Sequence, residues 1–427
     1  IRRWLRCWSK CSNYKKIPGQ CSGCRYTSES NCDKRKSIKK DVWVNIMVKK
    51  ILYIRSGPYQ VDPNAYNLQE LGLAKAFAEK NVQCDVVYYH KKKDFDQKIV
   101  KDGYEINVLW RKGIRLLRSG VYPQILKKEF LRTYDAVIIS EYSQVMAVLL
   151  CGMHPNVYIY NGPYYNLFKI PFVEKIYDAL FVKKLDKKVK CIFCKTEMAK
   201  EYLESKGFTK CAVTGVGLDT EKFDKENHIE PETQELLEKM QGHKNIVYVG
   251  AISKRKNVKV IAKAFDIIKE KGNDEAQLVV IGKDENGCWK ECEEQFSGKT
   301  ESAVIRVPFI KNAQLKYIYP HADVFVLPSI KEIFGMVLLE AMYFGAPTVA
   351  SGSAGAKTLI EDGKSGYIVK DFEPSNWAEK ISGLLENAQL RKNMGEAASA
   401  RIKNYFMWDS IAEKMLGEIN KNGNTEN

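Results

Sequence analysis

The chain has 427 residues, of which 45% are hydrophobic and 28% charged, and its formal net charge is +16. This length accommodates two domains of ordinary size, and the composition excludes a largely disordered protein. We expect no membrane-spanning helix, because the sequence holds no run of about 18 apolar residues. The start lacks the apolar core of a secretion signal, which favours the cytoplasm.

The first 46 residues carry much of the positive charge, with 12 Lys or Arg against 3 Asp or Glu. Met47 opens a stretch, MVKKILYIRSG, that looks like a natural start followed by a first strand. We therefore interpret residues 1–46 as an extension that is disordered or non-native. The alternative is a small zinc site, but neither a second C-x2-C pair nor a His pair at finger spacing accompanies the first. Its thiolates would come from Cys11, Cys21, Cys24 and Cys32.

Short apolar runs rich in Val and Ile recur along the rest of the chain, with helix-like segments between them. Runs that do not alternate with polar residues are typical of parallel strands covered on both faces by helices. The predicted strands of the first half are 49–56, 84–90, 135–140, 156–160 and 191–196, and those of the second half are 245–250, 277–282, 303–308, 323–329 and 347–351.

A charged stretch, residues 220–240, separates the two series of strands. The sequence therefore predicts an α/β protein with two doubly wound, Rossmann-like domains, residues 47–220 and 243–402, joined by a linker at 221–242. Ligands bind such sheets at the carboxyl ends of their strands, so we expect the site in the cleft between the domains.

A basic turn follows the first strand of the second series. Lys254, Arg255 and Lys256 come directly before an amphipathic, helix-like segment. Cations at the carboxyl edge of a parallel sheet suit a diphosphate. Taken alone, a solvated basic turn is the simpler interpretation.

The stretch KEIFGMVLLEAMYFGAPTVAS brackets an apolar segment with two carboxylates. Glu332 is predicted in a strand-to-helix loop, Gly335 at the helix start and Glu340 more than one turn inside the helix. The amides of residues 334–336 would be free donors that readily bind a phosphate. Carboxylates beside a phosphate site accept hydrogen bonds from sugar hydroxyls, which is the outline of a nucleotide-sugar. The alternative is that Glu332 caps amides and Glu340 is an ordinary acid of the helix face.

The segment 328–369, PSIKEIFGMVLLEAMYFGAPTVASGSAGAKTLIEDGKSGYIV, closely resembles the donor-binding region of glycosyltransferase family 4, retaining enzymes with the GT-B fold. The spacing E-x7-E carries the resemblance, with F-G inside it and E-A-M-x-x-G-x-P-x-V-A-S after it. Four shorter stretches match the family in order: TGVGLDTEKF, YVGAISKRKN, HADVFVLPS and YFMWDSIAEKM. The likeness covers residues 47–420.

The resemblance implies a GT-B fold and a particular reaction. Residues 47–220 would form the acceptor-side domain, residues 243–402 would bind the nucleotide-sugar, and residues 403–427 would hold a helix that packs back on the first domain, followed by a tail. The implied enzyme is a retaining hexosyltransferase with a saccharide or lipid-linked acceptor, in cell-surface polysaccharide or glycolipid synthesis. The family requires no metal or other cofactor, and we favour a UDP-sugar over a GDP-sugar as donor.

The resemblance also assigns roles to residues. Glu332 would contact the transferred sugar and Glu340 the ribose, while Lys256, with Arg255 in support, would neutralise the diphosphate. The resemblance also implies departure and attack on the same face of the sugar, without a covalent intermediate. The remaining donor contacts are predicted at Gly250, Phe334, Gly335, Met336 and Val337.

The chain departs from the family pattern at three places. Ala251 stands where an arginine often follows the first C-terminal strand. The first loop, SGPYQVDPNAYN, has one glycine where a pair is common, and YNGPYYN stands where a histidine often lies near the acceptor. The predicted acceptor-side residues are Gly57, Asn67, Asn161 and Tyr164.

Residues 91–132 hold 12 Lys or Arg and 5 Asp or Glu, mixed with Trp, Leu and Ile. Basic amphipathic segments of this kind lie on anionic membranes. An enzyme peripheral to the inner face of the cell membrane and an ordinary basic helix face are equal alternatives. We do not expect nucleic acid as a partner, because no recognised binding module occurs.

Three other functions are alternatives. An NAD-dependent oxidoreductase would need G-x-G-x-x-G after the first strand, and IRSGPYQVDPN lacks it. A non-catalytic GT-B relative that only binds nucleotide-sugar would explain Ala251, but both glutamates and Lys256 argue against it. A GT-B phosphorylase would need a lysine that holds pyridoxal phosphate, which spacing does not exclude.

Overall fold

The structure is a computed structural model that describes residues 48–63, 65–116, 118–168 and 170–423. The interpretations of residues 1–46, including the zinc site, lie outside the described residues. The strands are β1 Lys50–Ile54, β2 Gln83–His90, β3 Phe95–Lys101, β4 Tyr104–Lys112, β5 Ile114–Leu116, β6 Ser119–Val121, β7 Ala136–Ser140, β8 Val157–Asn161, β9 Cys191–Cys194, β10 Cys211–Val213, β11 Lys244–Val249, β12 Ala276–Ile281, β13 Val304–Val307, β14 Val324–Leu327, β15 Thr348–Ser351 and β16 Tyr367–Val369.

The helices of the described ranges alternate with these strands, and none of them is long and apolar enough to cross a membrane. They are α1 Gln69–Ala78, α2 Lys128–Leu131, α3 Val145–Leu150, α4 Pro171–Lys188, α5 Glu197–Ser205, α6 Glu221–Lys225, α7 Pro231–Met240, α8 Val258–Glu270, α9 Cys288–Glu293, α10 Gly298–Glu301, α11 Leu315–Ile318, α12 Met336–Tyr343, α13 Ala354–Leu359, α14 Pro374–Glu386, α15 Ala388–Tyr405 and α16 Trp408–Gly423.

The N-terminal domain is built on an eight-stranded sheet with the order β10-β9-β8-β7-β1-β2-β4-β3. Neighbouring strands are parallel except β3 and β4, which form an antiparallel hairpin. The strands β1, β7 and β8 are rich in Val, Ile and Tyr and almost wholly buried, because helices cover both faces of the sheet. Each of the five strands predicted in the first half coincides with an observed strand.

The basic segment 91–132 consists mainly of strands and does not form a basic helix face, so that alternative is wrong. The turn between β3 and β4 contains Asp102 and Gly103, which have positive φ values of 45° and 86° and suit a hairpin. In β4, Val108 and Trp110 are buried against the sheet, two residues apart, as strand geometry requires. The charges of β3, the last strand, therefore lie at an edge of the sheet.

The C-terminal domain is built on a six-stranded parallel sheet with the order β13-β12-β11-β14-β15-β16. The five strands predicted in the second half are all present, and β16 is an addition at the edge. Because β11 and β14 are neighbours, the loops that follow them emerge side by side at the carboxyl edge of the sheet.

The last helix, α16, returns to the N-terminal domain and packs on α1, which confirms the implied crossing. Its Trp408 fills a slot lined by two glycines. A Cβ on Gly72 would lie 2.3 Å from Trp408 Nε1, and one on Gly217 would lie 2.4 Å from Trp408 Cδ2. The indole Nε1 also donates to Asn67 Oδ1 at 3.3 Å. The division of the chain at residues 220, 242 and 402 stays a prediction.

Candidate active site

The loop between β14 and α12 carries the E-x7-E motif and ends at Gly335. This glycine has φ 83° and ψ 64°, a left-handed conformation that other residues seldom adopt, and it directly precedes the first residue of α12. The amides of Leu338 and Leu339 donate to the Gly335 carbonyl at 3.0 and 3.1 Å. The amides ahead of them have no acceptor within the helix, so this end of α12 suits an anion such as a phosphate.

Three charged side chains meet beside this helix end. Lys256 Nζ lies 2.5 Å and Arg255 Nη1 3.3 Å from Glu332 Oε2. The Ile330 amide donates to the Arg255 carbonyl at 2.9 Å, which ties the loop after β11 to the loop after β14. One carboxylate faces two cations, so the cluster keeps a net positive charge beside the helix end. This arrangement favours a diphosphate.

Glu340 lies inside the fold with 1% of its surface exposed. Its Oε2 accepts from Tyr319 Oη at 2.8 Å and from Asn312 Nδ2 at 3.4 Å. Burial raises the pKa of Glu340 to about 7, although the hydroxyls of Tyr319 and Tyr66 and the Asn312 amide favour the charged form. Tyr66 comes from the N-terminal domain and lies beside Glu340. Sequence reasoning placed Glu340 correctly on α12 but did not predict the side chains that surround it.

The other predicted donor residues would contact a ligand mainly through their backbone atoms. Phe334 is buried, with its ring centroid 6.2 Å from that of Phe406. Met336 Sδ accepts from Asn67 Nδ2 at 3.6 Å, a contact between the two domains, and Val337 is half-buried one residue later. Gly250 follows β11 at the carboxyl edge of the sheet with φ 146°, a conformation that glycine adopts readily.

Two predicted acceptor-side residues have different surroundings. Asn161 is fully buried: its Oδ1 accepts from the Tyr142 amide at 3.3 Å and its Nδ2 donates to the Pro163 carbonyl at 3.0 Å. Its side chain therefore shapes the loop after β8. Tyr164, in that loop, lies against the Glu332 backbone, and burial raises the pKa of its phenol. The structure thus brings Tyr164 to the E-x7-E loop and leaves the Asn161 side chain without an exposed surface.

A polar cavity of about 320 Å³ lies at the carboxyl ends of the N-terminal strands. Gly57 and Asn67, both predicted for the acceptor side, line it. Sequence reasoning missed the charged groups of this cavity. Four of them form two ion pairs, and the fifth is a lysine that belongs to neither pair. Arg55 pairs with Glu70 at 3.1 Å, and Arg118 lies 3.8 Å from Glu141. The further lining cation is Lys195.

Lys195 is the cation in this cavity that lacks a carboxylate partner among the residues the structure describes. Its Nζ lies 4.8 Å from the centroid of the Tyr160 ring. Burial lowers the pKa of Lys195, although Glu70 and Glu141 raise it through charge. An anionic or strongly polar group of a ligand would supply the missing partner.

Glu141 holds a left-handed backbone conformation, with φ 61°. Strained backbone at a non-glycine residue commonly marks a ligand-binding site. A sequence signal for these groups existed, because Arg55, Glu141 and Lys195 each come directly after a buried strand, β1, β7 and β9. The carboxyl ends of parallel strands meet at one edge, so this position alone predicts that the three lie together.

Residues 230–401 match the family described as "Glycosyl transferases group 1". This match covers α7 to the last part of α15 and includes Lys256, Glu332 and Glu340. The two mainly parallel sheets with the returning last helix form a GT-B fold.

Curated relatives match part of the chain. Spore coat protein SA of Bacillus subtilis (strain 168) is 30% identical over 224 residues, which are 50% of this chain and 59% of that protein. The D-inositol 3-phosphate glycosyltransferase of Paenarthrobacter aurescens (strain TC1) is 30% identical over 172 residues, 39% of this chain and 41% of that protein. The chain thus spans about half the length of these relatives.

Solved structures share the fold across most of the chain. A glycosyltransferase from Rickettsia africae ESF-5 superimposes with a TM-score of 0.66 at 14% identity and covers 89% of this chain and 100% of that chain. Anabaena Alr3699/HepE in complex with UDP gives a TM-score of 0.65 at 16% identity over 87% of this chain and 100% of its own. At these identities the likeness establishes the fold.

Proposed function

We propose that the chain is a retaining glycosyltransferase that moves a hexose from a nucleotide-diphosphate sugar to a saccharide or lipid-linked acceptor. The observation that carries the proposal is the meeting of Lys256, Arg255 and Glu332 at the N-terminus of α12. This group offers cations and helix amides to a diphosphate and a carboxylate to sugar hydroxyls within a few ångströms. The proposed pathway is cell-surface polysaccharide or glycolipid synthesis.

Charge stabilisation is the main chemical task in this proposal. Negative charge grows on the diphosphate as the bond to the sugar breaks, and Lys256, Arg255 and the helix end are already positioned to receive it. The acceptor hydroxyl would approach from the N-terminal cavity. Attack on the face from which the diphosphate leaves retains the configuration of the sugar. No metal or other cofactor takes part in the proposed reaction.

A UDP-sugar is the donor we propose. One fold neighbour is Anabaena Alr3699/HepE in complex with UDP, and another is described as trehalose-6-phosphate from E. coli bound with UDP-2-fluoro glucose. Several curated relatives are named glycosyltransferases, among them the D-inositol 3-phosphate enzymes. These names support the class of reaction, and the nucleotide base needs a direct test.

Thermal unfolding of the full chain against UDP-, GDP-, ADP- and CMP-sugars tests the donor. A ligand at about 100 times its Kd stabilises the folded state by about 2.7 kcal/mol, which gives a shift of a few degrees in Tm. We expect the UDP-sugar to give the shift and a GDP-sugar to give less. A shift by none of the four would contradict the proposal. Binding without transfer to any acceptor would favour a non-catalytic relative.

We also propose a cytoplasmic enzyme attached to the inner face of the cell membrane. The prediction that residues 91–132 form the membrane surface stays a prediction. Lys91, Lys92 and Lys93 are exposed there and support it. Other cations of the segment already have acidic partners, such as Lys98 with a carboxylate at 2.7 Å.

A further inference from the structure

The outer face of α4 exposes a row of large apolar side chains. Phe172, Ile176 and Leu180 are 61%, 52% and 64% exposed, and Ile170, just before the helix, is 51% exposed. A spacing of four residues places side chains one above another on a helix. The three therefore form a continuous apolar ridge. Exposed apolar surface of this kind, bordered by charge, marks a docking site.

The acidic residues of α4 all engage partners from neighbouring elements. Glu174 lies 3.1 Å and Asp178 2.5 Å from Lys206 Nζ. Asp186 accepts from the Thr209 amide at 2.7 Å. The acidic side chains of the helix therefore face α5 and the loop that follows it. The apolar ridge contains no acidic side chain.

The basic residues of α4 behave in the opposite way. Five lysines of the helix are exposed, and none has an ion pair among the residues that the structure describes. At 3.6 residues per turn, two of them continue the line of the apolar ridge and the others flank it. They are Lys175, Lys183, Lys184, Lys187 and Lys188.

An open basin of about 430 Å³ extends this positive surface beyond the end of α4. Two lysines of the helix line it together with Lys190 and Lys210, and its lining contains no Asp or Glu. Lys210 Nζ donates to the Val189 carbonyl at 3.1 Å, which holds it at the rim. A basin whose lining includes two exposed lysines of α4 and no carboxylate suits an anionic headgroup.

We propose that α4, with its apolar ridge and its five exposed lysines, docks the protein on an anionic lipid bilayer, an inference that rests on the proposed attachment of the enzyme to the membrane. Phe172, Ile176 and Leu180 enter the boundary between headgroups and acyl chains, and the lysines contact lipid phosphates. An apolar face bordered by lysine is the pattern of helices that lie in the membrane interface. This surface differs from segment 91–132, where Arg111 lies 2.6 Å from the Asp96 carboxylate and charges of both signs are mixed.

The test is co-sedimentation of the full chain with vesicles of phosphatidylcholine mixed with phosphatidylglycerol, and with vesicles of phosphatidylcholine alone. We expect binding to the anionic vesicles only, weakening as salt is raised. The triple variant Phe172→Ser, Ile176→Ser, Leu180→Ser should bind at least about tenfold more weakly, since it loses three inserted apolar groups. Replacing Lys183 and Lys187 by Gln should cost about fivefold for each lysine.

Two control variants distinguish the α4 face from other exposed surfaces of the protein. Phe372→Ser with Tyr405→Ser removes exposed aromatic surface in the C-terminal domain and should leave binding unchanged. Lys91→Gln, Lys92→Gln, Lys93→Gln tests the other candidate surface. Loss of binding in that variant with full binding by the α4 triple variant would overturn the proposal. So would failure of the unmodified chain to bind, or a dimer in solution that the α4 variant dissociates, since a second copy would then cover the ridge.

Discussion

Lys256 and Glu332 form an ion pair, with 2.5 Å between Nζ and Oε2, across two loops that belong to neighbouring strands of the C-terminal sheet. Neither side chain is more than 15% exposed. Each group therefore satisfies the other until a ligand arrives. In the proposed reaction the donor would exchange this pair for its own phosphate and hydroxyl contacts.

Replacing Glu332 by Gln should abolish most of the transfer and leave the fold intact. The variant keeps the shape of the side chain and loses the charge that orients Lys256 and accepts from the sugar. We expect kcat/KM to fall by about 10²- to 10³-fold, the range seen when one preorganised electrostatic contact is lost. Steady-state assays with the identified donor measure this, and circular dichroism checks the fold.

Glu379→Gln is the matched control, because Glu379 is 71% exposed and pairs only with the neighbouring Lys380 among the described residues. It should retain full activity. Transfer at the unmodified rate by Glu332→Gln would contradict the assigned role.

Glu340 should make stability depend on pH. Burial raises its pKa from an ordinary value of 4.5 to about 7, so the folded protein keeps a proton between those values that the unfolded chain releases. The free energy of unfolding therefore falls as pH rises from about 4.5 to about 7. Glu340→Gln removes this dependence and should be more stable than the unmodified chain at about pH 8, by up to about 3 kcal/mol.

Urea unfolding of both proteins at about pH 5 and about pH 8 measures the difference. Glu386→Gln, on the exposed side of α14, serves as the control for loss of one carboxylate. Equal pH dependence in Glu340→Gln and the unmodified chain would show that Glu340 titrates normally.

Lys195 should matter for the acceptor and not for the donor. It is the lysine of the N-terminal cavity that lacks a carboxylate partner in the described part of the chain, so an acceptor hydroxyl or anion is its expected contact. Lys195→Met should raise the acceptor KM by about 10- to 100-fold, since a hydrogen bond to a charged group is lost. Donor affinity, measured separately by calorimetry, should stay the same.

Lys195→Arg retains the charge and should restore part of the acceptor affinity. If Lys195→Met changed donor affinity and left the acceptor KM unchanged, the assignment of Lys195 to the acceptor site would be contradicted.

Gly72→Ala should destabilise the protein through Trp408. The added Cβ would lie 2.3 Å from Trp408 Nε1, so the indole must shift out of its slot. Overpacking of this kind costs about 1–3 kcal/mol. Gly417→Ala is the matched control on α16, because its Cβ meets nothing within 4 Å and alanine favours a helix. Thermal unfolding should show a lower Tm for the first variant and an equal or higher Tm for the second.

The sequence located the loops that carry Glu332 and Lys256 more fully than the groups of the N-terminal cavity, for a physical reason. Glu332 and Lys256 lie in loops after strands that the apolar runs reveal, and parallel strands deliver such loops to one edge. The contacts of Glu340 could not be foreseen, because Tyr319 and Asn312 lie 21 and 28 residues earlier in the chain and Tyr66 belongs to the other domain. The exposed strand β3 was missed since its apolar residues are few and its partner β4 supplies the burial.

The return of α16 to the N-terminal domain has a consequence for how the chain matures. Five of its side chains are nearly fully buried: Ile411, Ala412, Met415, Leu416 and Ile419. Domains generally fold as units while the ribosome is still working, beginning with the earlier one. In this chain, the N-terminal domain lacks α16, which packs on α1, until the whole C-terminal domain has been synthesised. During synthesis, the surface of α1 that packs on α16 is exposed. The nascent chain therefore presents an apolar surface that a chaperone can bind until translation nears its end.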